Sequence, residues 1–205
     1  MIIGYYSLAN TVTLGGLISA VLACFLAGHG HFGWALGLFF LACVCDLFDG
    51  RIARSRPMND EKRKLFGIQL DSICDMVSFG VTPCFIAYSM GFNGIVDIAV
   101  YLLFVACGAI RLSFFNTLAL ANPGKPTKYY RGLPIPVNCF FFTLIVLLST
   151  FLPEAVNGWI FPIFFVIFGL AFIVNIKIKK PPLKPMLIIY GVQIVLLIIT
   201  IIRLS

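Results

Sequence analysis

Apolar runs long enough to cross a bilayer recur along almost the whole chain, and that feature leaves few folds open. A hydrocarbon core of ~30 Å takes about 20 apolar residues wound as a helix, and in lipid every backbone N–H and C=O must be satisfied within the protein. Reading the runs in order predicts helices over about 8–28, 32–54, 65–90, 95–118, 134–151, 158–176 and 186–202. Composition agrees, because 60% of the 205 residues are hydrophobic and 21 are Phe, against roughly 45–50% apolar residues in soluble domains. The expected fold is therefore all-α, a polytopic transmembrane helix bundle forming a single integral-membrane domain over residues 1–205, with about seven spans and six to eight tolerable.

Charge sorts the ends of these helices. The net charge of +7 comes from basic residues concentrated in the loops after the second, fourth and sixth runs, whereas the links GHGHF, GFNG and PEAVNG carry no Lys or Arg. That alternation is the positive-inside pattern, which puts the N-terminus and the basic loops in the cytosol and leaves no need for a nucleic-acid partner. The first run continues without a cleavage site, so it reads as a membrane helix and no cleavable signal peptide is expected. The seven cysteines fall inside apolar runs without metal-site spacing and read as small packing residues, not disulfides. His29 and His31, in a Gly-rich turn at the opposite end from the basic loops, are assigned no function.

The acidic residues follow a different logic. Four of the eight, Asp46, Asp49, Asp71 and Asp75, sit at the facing ends of the second and third runs. Residues three and four apart share a helix face, so Asp46, Asp49, Gly50 and Ala53 line one side of the second helix, and Gly67, Asp71 and Asp75 line one side of the third. The helix dipole accounts for an aspartate near a helix start, such as Asp71, but it disfavours Asp46 and Asp49, which close a segment. Ionisable residues in a membrane segment are functional by default. Four converging carboxylates need a neutralising cation, and all-oxygen ligands suit a hard divalent ion such as Mg²⁺ or Mn²⁺. The small residues leave a hollow beside them.

Taken in order, Asp46, Asp49, Gly50, Ala53, Arg54, Gly67, Asp71 and Asp75 resemble the signature of the CDP-alcohol phosphotransferase family, here spanning residues 46–75. The loop between Arg54 and Gly67 is longer than the family usually has, an insertion that a polar loop tolerates. The resemblance implies that Asp46, Asp49, Asp71 and Asp75 bind Mg²⁺ or Mn²⁺ and that Asp75 also takes the proton of the attacking alcohol. It implies that Gly50, Ala53, Arg54 and Gly67, with Asn10 and Thr13, hold the nucleotide and its diphosphate. Ala9 stands where the family commonly has Pro, and helix capping by Asn10 or Thr13 is the competing reading of that pair. A homodimer is also implied.

The segments FGIQLDSICDMVSFGVTP, ACGAIRLSFFN and YYRGLPIP resemble the phosphatidylserine synthase branch of that family. This implies transfer of the phosphatidyl group from CDP-diacylglycerol to L-serine, giving phosphatidylserine and CMP, by a multi-pass protein of the cell membrane with its site at the cytosolic face. Arg111, Lys128 and Arg131 are then the candidates for serine binding, against the alternative that Arg111 is an interfacial arginine snorkelling to lipid phosphate. Two other functions stay open. The acceptor could be glycerol 3-phosphate or an inositol phosphate, or the acidic cluster could serve a divalent-cation channel or carrier, although a carrier's charges belong near the bilayer midplane and these stop at one interface.

Overall fold

The computed structural model describes residues 3–55, 60–121, 129–179 and 183–204, so Lys128 lies outside the described residues. The helices are α1 (Leu8–Gly28), α2 (Phe32–Ser55), α3 (Glu61–Ser89), α4 (Ile95–Ala121), α5 (Val137–Ser149), α6 (Glu154–Ile173) and α7 (Leu183–Leu204). Among the described residues, six are long and apolar enough to span a membrane, and α5 is the exception. The chain is a multi-pass, all-α membrane bundle. Its lipid-facing character is visible in exposed side chains such as Ile18, Phe25, Leu102, Ile110, Ile188 and Ile198.

Several boundaries differ from expectation by a few residues, and two helix starts and one internal turn have a clear local reason. The third helix starts four residues earlier than predicted, because Asp60 caps it by accepting from the Lys62 N–H at 2.9 Å. The fifth starts later, at Val137, because the Pro134–Pro136 segment before it forms tight turns, with Val137 N–H bonded to the Pro134 carbonyl and Asn138 N–H to the Ile135 carbonyl, and neither proline has an N–H to extend the helix backward. Its 13 residues rise only ~20 Å, short of the hydrocarbon thickness. Finally, α3 is not uniform. Residues Met76–Val81 form a π-helical turn in which the Thr82 N–H reaches back five residues to the Val77 carbonyl.

Two packing regimes hold the bundle together. The helices α1 and α2 meet through small side chains, with Ala20, Ala23 and Ala27 of α1 fully buried. A Cβ on Gly16 would lie 3.0 Å from that of Cys45, so glycine sets this close approach. The other half is aromatic. Phe104 and Phe165 meet edge-on at 4.9 Å, and Phe39 and Phe142 at 5.8 Å, all four fully buried. All seven cysteines are free thiols, consistent with packing roles.

The linkers after α4 and α6 join at one end of the bundle. Strands β1 (Tyr129–Arg131) and β2 (Lys177–Lys179) pair antiparallel, with Arg131 opposite Lys177. Gly132 continues the pairing by donating to the Ile176 carbonyl at 2.8 Å. Its φ of +75° and the Phe172 carbonyl, which a Cβ would meet at 2.5 Å, both require glycine there.

Candidate active site

The acidic cluster is assembled by the C-terminal half of α2 and the N-terminal half of α3. Carboxylate oxygens of Asp46, Asp49 and Asp71 lie within 4.8 Å of one another, and Asp75 stands within hydrogen-bonding reach of Asp46. Helical spacing explains the convergence, since each pair occupies consecutive turns of one face. Asp49 is the most enclosed, at 4% exposure, while the others are half-buried. The four expected ligands are thus brought together.

This donor set fits a divalent ion. All its atoms are oxygen, and oxygens within 4.8 Å of one another can share one ion, because Mg²⁺ or Ca²⁺ takes each oxygen at roughly 2–2.5 Å and so holds opposite ligands about 4–5 Å apart. Two guanidiniums lie nearby: those of Arg54, whose charge reaches Asp49, and Arg111, whose charge reaches Asp46. Two positive charges against four carboxylates leave the cluster net negative, and a hard cation is the natural counterpart.

A cavity of about 470 Å³ opens beside the cluster. It is lined by all six residues expected at the nucleotide and diphosphate, namely Asn10, Thr13, Gly50, Ala53, Arg54 and Gly67, together with Asp49 and Asp71. The hollow inferred from small residues is real. A Cβ on Gly67 would come to 3.5 Å from the Asn10 Oδ1, and one on Gly50 to 3.4 Å from an Arg54 nitrogen. Asp46 and Asp75 do not line this cavity, so the cluster faces it through Asp49 and Asp71 alone.

Neither Asn10 nor Thr13 caps α1. That role belongs to Ser7, whose Oγ accepts from the Asn10 N–H at 3.1 Å. The Asn10 amide donates instead to the Tyr5 carbonyl at 2.8 Å, and the Thr13 hydroxyl donates to Asp49 at 2.6 Å. Sequence reasoning missed Ser7, Arg63, Lys64 and Ile68, which also line the cavity. With the third helix expected from residue 65, the basic pair falls in a loop. From Glu61 onward, positions 64, 67, 68 and 71 follow one helical face, and that spacing was the available signal.

The serine candidates divide. Arg111 is 8% exposed, enclosed by protein with its guanidinium 4.6 Å from the Phe115 ring centroid. A snorkelling arginine would be at the surface, so the structure corrects that reading. Arg131 is exposed on β1 and is not among the residues lining the cavity. Lys128 is outside the described residues.

Comparison with known proteins agrees with this geometry. The model of the CDP-alcohol phosphatidyltransferase family matches residues 6–202. A CDP-diacylglycerol–serine O-phosphatidyltransferase of Saccharomyces cerevisiae is 40% identical over 119 residues, covering 55% of this chain and 41% of that protein. The Helicobacter pylori (strain ATCC 700392 / 26695) protein of the same name is 34% identical over 177 residues, 84% of this chain and 71% of the relative. That of Methanocaldococcus jannaschii is 30% identical over 194 residues, 94% of this chain and 84% of the relative. The match thus spans about two fifths of the yeast relative's length and most of the archaeal one's.

Proposed function

Because the chain belongs to the CDP-alcohol phosphatidyltransferase family, we propose that it transfers the phosphatidyl group of CDP-diacylglycerol to L-serine, giving phosphatidylserine and CMP. The activity for which the similar yeast, bacterial and archaeal proteins are named supports serine as acceptor. The observation that carries the reading is the carboxylate cluster of α2 and α3 at the edge of a cavity of about 470 Å³. A diphosphate and a pyrimidine nucleoside suit a hollow lined by Arg54, Arg63, Lys64 and two glycines.

Each residue then has a role. Asn10, Gly50, Ala53 and Gly67 make room for the nucleotide, while Thr13 orients Asp49. Arg54 pairs with the diphosphate, and Arg63 and Lys64 add positive charge beside it. A divalent ion, Mg²⁺ or Mn²⁺, held by Asp46, Asp49, Asp71 and Asp75 would offset charge on the diphosphate and the departing CMP. Asp75 accepts the proton of the serine hydroxyl as its oxygen forms a bond to the lipid-side phosphorus. The bond from that phosphorus to the bridging oxygen breaks, and CMP leaves with the electron pair. Arg111, which does not line the cavity, receives the serine carboxylate, and Arg131 and Lys128 draw anionic substrates toward the face.

The site belongs at the cytosolic face of the cell membrane, where the basic loops lie. The proposal extends to a homodimer on the family resemblance alone. The test is CMP release from CDP-diacylglycerol by membranes carrying the protein. Release is expected with L-serine plus Mg²⁺ or Mn²⁺, and not with chelator, glycerol 3-phosphate or inositol phosphate. Equal release with either alternative acceptor would move the assignment to another member of the family.

A further inference from the structure

The π-helical turn begins one residue after Asp75, and three buried side chains hold its carbonyls. The Asn138 amide, fully buried at the start of α5, donates to the Phe79 carbonyl at 2.6 Å. The Thr82 hydroxyl, also fully buried, donates to the Val77 carbonyl at 3.0 Å, and the Cys84 thiol to the Gly80 carbonyl at 3.3 Å. From these contacts we infer that Asn138 is a positioning residue for Asp75, acting through the π turn Met76–Val81. The inference rests on the proposed role of Asp75 as proton acceptor.

The geometry supplies the reason. Up to Met76 the helix is regular, with the Met76 N–H bonded to the Ser72 and Ile73 carbonyls. Beyond it the turn carries an extra residue, and one residue of an α-helix corresponds to roughly 100° of rotation. The outer half of α3 is locked, because Phe79, Ile86 and Ala87 are essentially fully buried in the core. If the turn relaxed to ordinary α-helix, the rotation would fall on the inner half, which bears Asp71 and Asp75. At a side-chain radius of about 5 Å, such a rotation moves a carboxylate by several ångström. A site whose groups must be held within about 0.5 Å would not survive that.

A π turn does not persist unaided. Its hydrogen-bond geometry is uncommon and it occurs mainly as single turns near functional sites. Its carbonyls lie in an apolar interior where no water can satisfy them. Asn138 alone among the three donors comes from a different helix, 59 residues from its acceptor, so it also ties the turn to the bundle. The start of α5 is itself set beside the acidic cluster, since the Cys43 thiol lies 3.9 Å from the Pro136 carbonyl, one turn before Asp46. This gives α5, too short to span the bilayer, a definite task.

The test compares three variants in the full-length protein. Asn138→Leu keeps approximate size and removes the donor, and Thr82→Val removes the second donor. Thr143→Val is the control, because Thr143 is equally buried on α5 but donates to Cys139 of its own helix at 2.9 Å. The expected result is a tenfold or larger fall in kcat for Asn138→Leu and Thr82→Val, with CDP binding and the CDP-diacylglycerol KM within twofold of wild type. Thr143→Val should keep wild-type kcat. Wild-type kcat in a CDP-binding Asn138→Leu protein, or an equal loss in Thr143→Val, would overturn the inference. Should Asn138→Leu fail to fold, Thr82→Val decides by the same criteria. Asp75→Asn separates the two levels: activity retained there removes the assigned base, whereas an inactive Asp75→Asn beside fully active Asn138→Leu and Thr82→Val removes only the positioning role.

Discussion

The Thr13 hydroxyl donates to the Asp49 carboxylate at 2.6 Å across the interface between α1 and α2, so the first helix aims a ligand carried by the second. Asp49 is nearly enclosed, and a hydrogen bond to a charged group contributes roughly 1.5–3 kcal/mol. Thr13→Val preserves shape and removes the donor. The expected outcome is a rise of about tenfold or more in the divalent-metal concentration giving half-maximal CMP release, with Thr13→Ser close to wild type. A metal titration that superimposes on wild type would show that Asp49 needs no such help.

Much of this site is legible in the sequence because it depends on local periodicity. Asp46 and Asp49 share a face of α2, and Asp71 and Asp75 share one of α3, whichever bundle surrounds them. The bounds of α1 are equally local, a 21-residue apolar run between Ser7 and a Gly-rich turn. What escapes depends on partners distant in the chain. Thr13 is 36 residues from Asp49, and nothing in the spacing of either assigns one to the other. The π turn after Asp75 is stabilised by Asn138, 59 residues beyond its acceptor, so no periodic template over residues 65–90 contains it. The pairing of Arg131 with Lys177 joins two linkers separated by α5 and α6. Arg63 and Lys64 were missed for a smaller reason, a cap at Asp60 that moves the helix start by one turn.

Topology can be checked without any assay of turnover. All seven native cysteines are free thiols, so a cysteine-free variant provides a background for Asp60→Cys and Val156→Cys, both at exposed positions. Positive-inside orientation predicts that a membrane-impermeant maleimide labels Val156→Cys in intact cells and Asp60→Cys only after permeabilisation. The opposite pattern would put the carboxylate cluster outside the cell and sever it from cytosolic substrates.

Arg111 offers the most direct test of the acceptor. It is enclosed by protein at 8% exposure, its guanidinium stacks 4.6 Å from the Phe115 ring centroid, and its charge reaches Asp46. A planar guanidinium held by an aromatic face presents its donors in a fixed fork that matches a carboxylate, whereas a lysine ammonium is a point charge without that geometry. Arg111→Lys therefore retains the positive charge near Asp46 and loses the fork. If Arg111 receives the serine carboxylate, the serine KM should rise by roughly 10- to 100-fold, the equivalent of about 1.5–3 kcal/mol for a charge-assisted hydrogen bond. The CDP-diacylglycerol KM should stay within twofold, because Arg111 is not among the residues lining the nucleotide cavity. A purely electrostatic role beside Asp46 would instead leave the serine KM unchanged, since the charge is preserved. That result would retire Arg111 as the carboxylate clamp and leave the phosphatidyl transfer itself untouched.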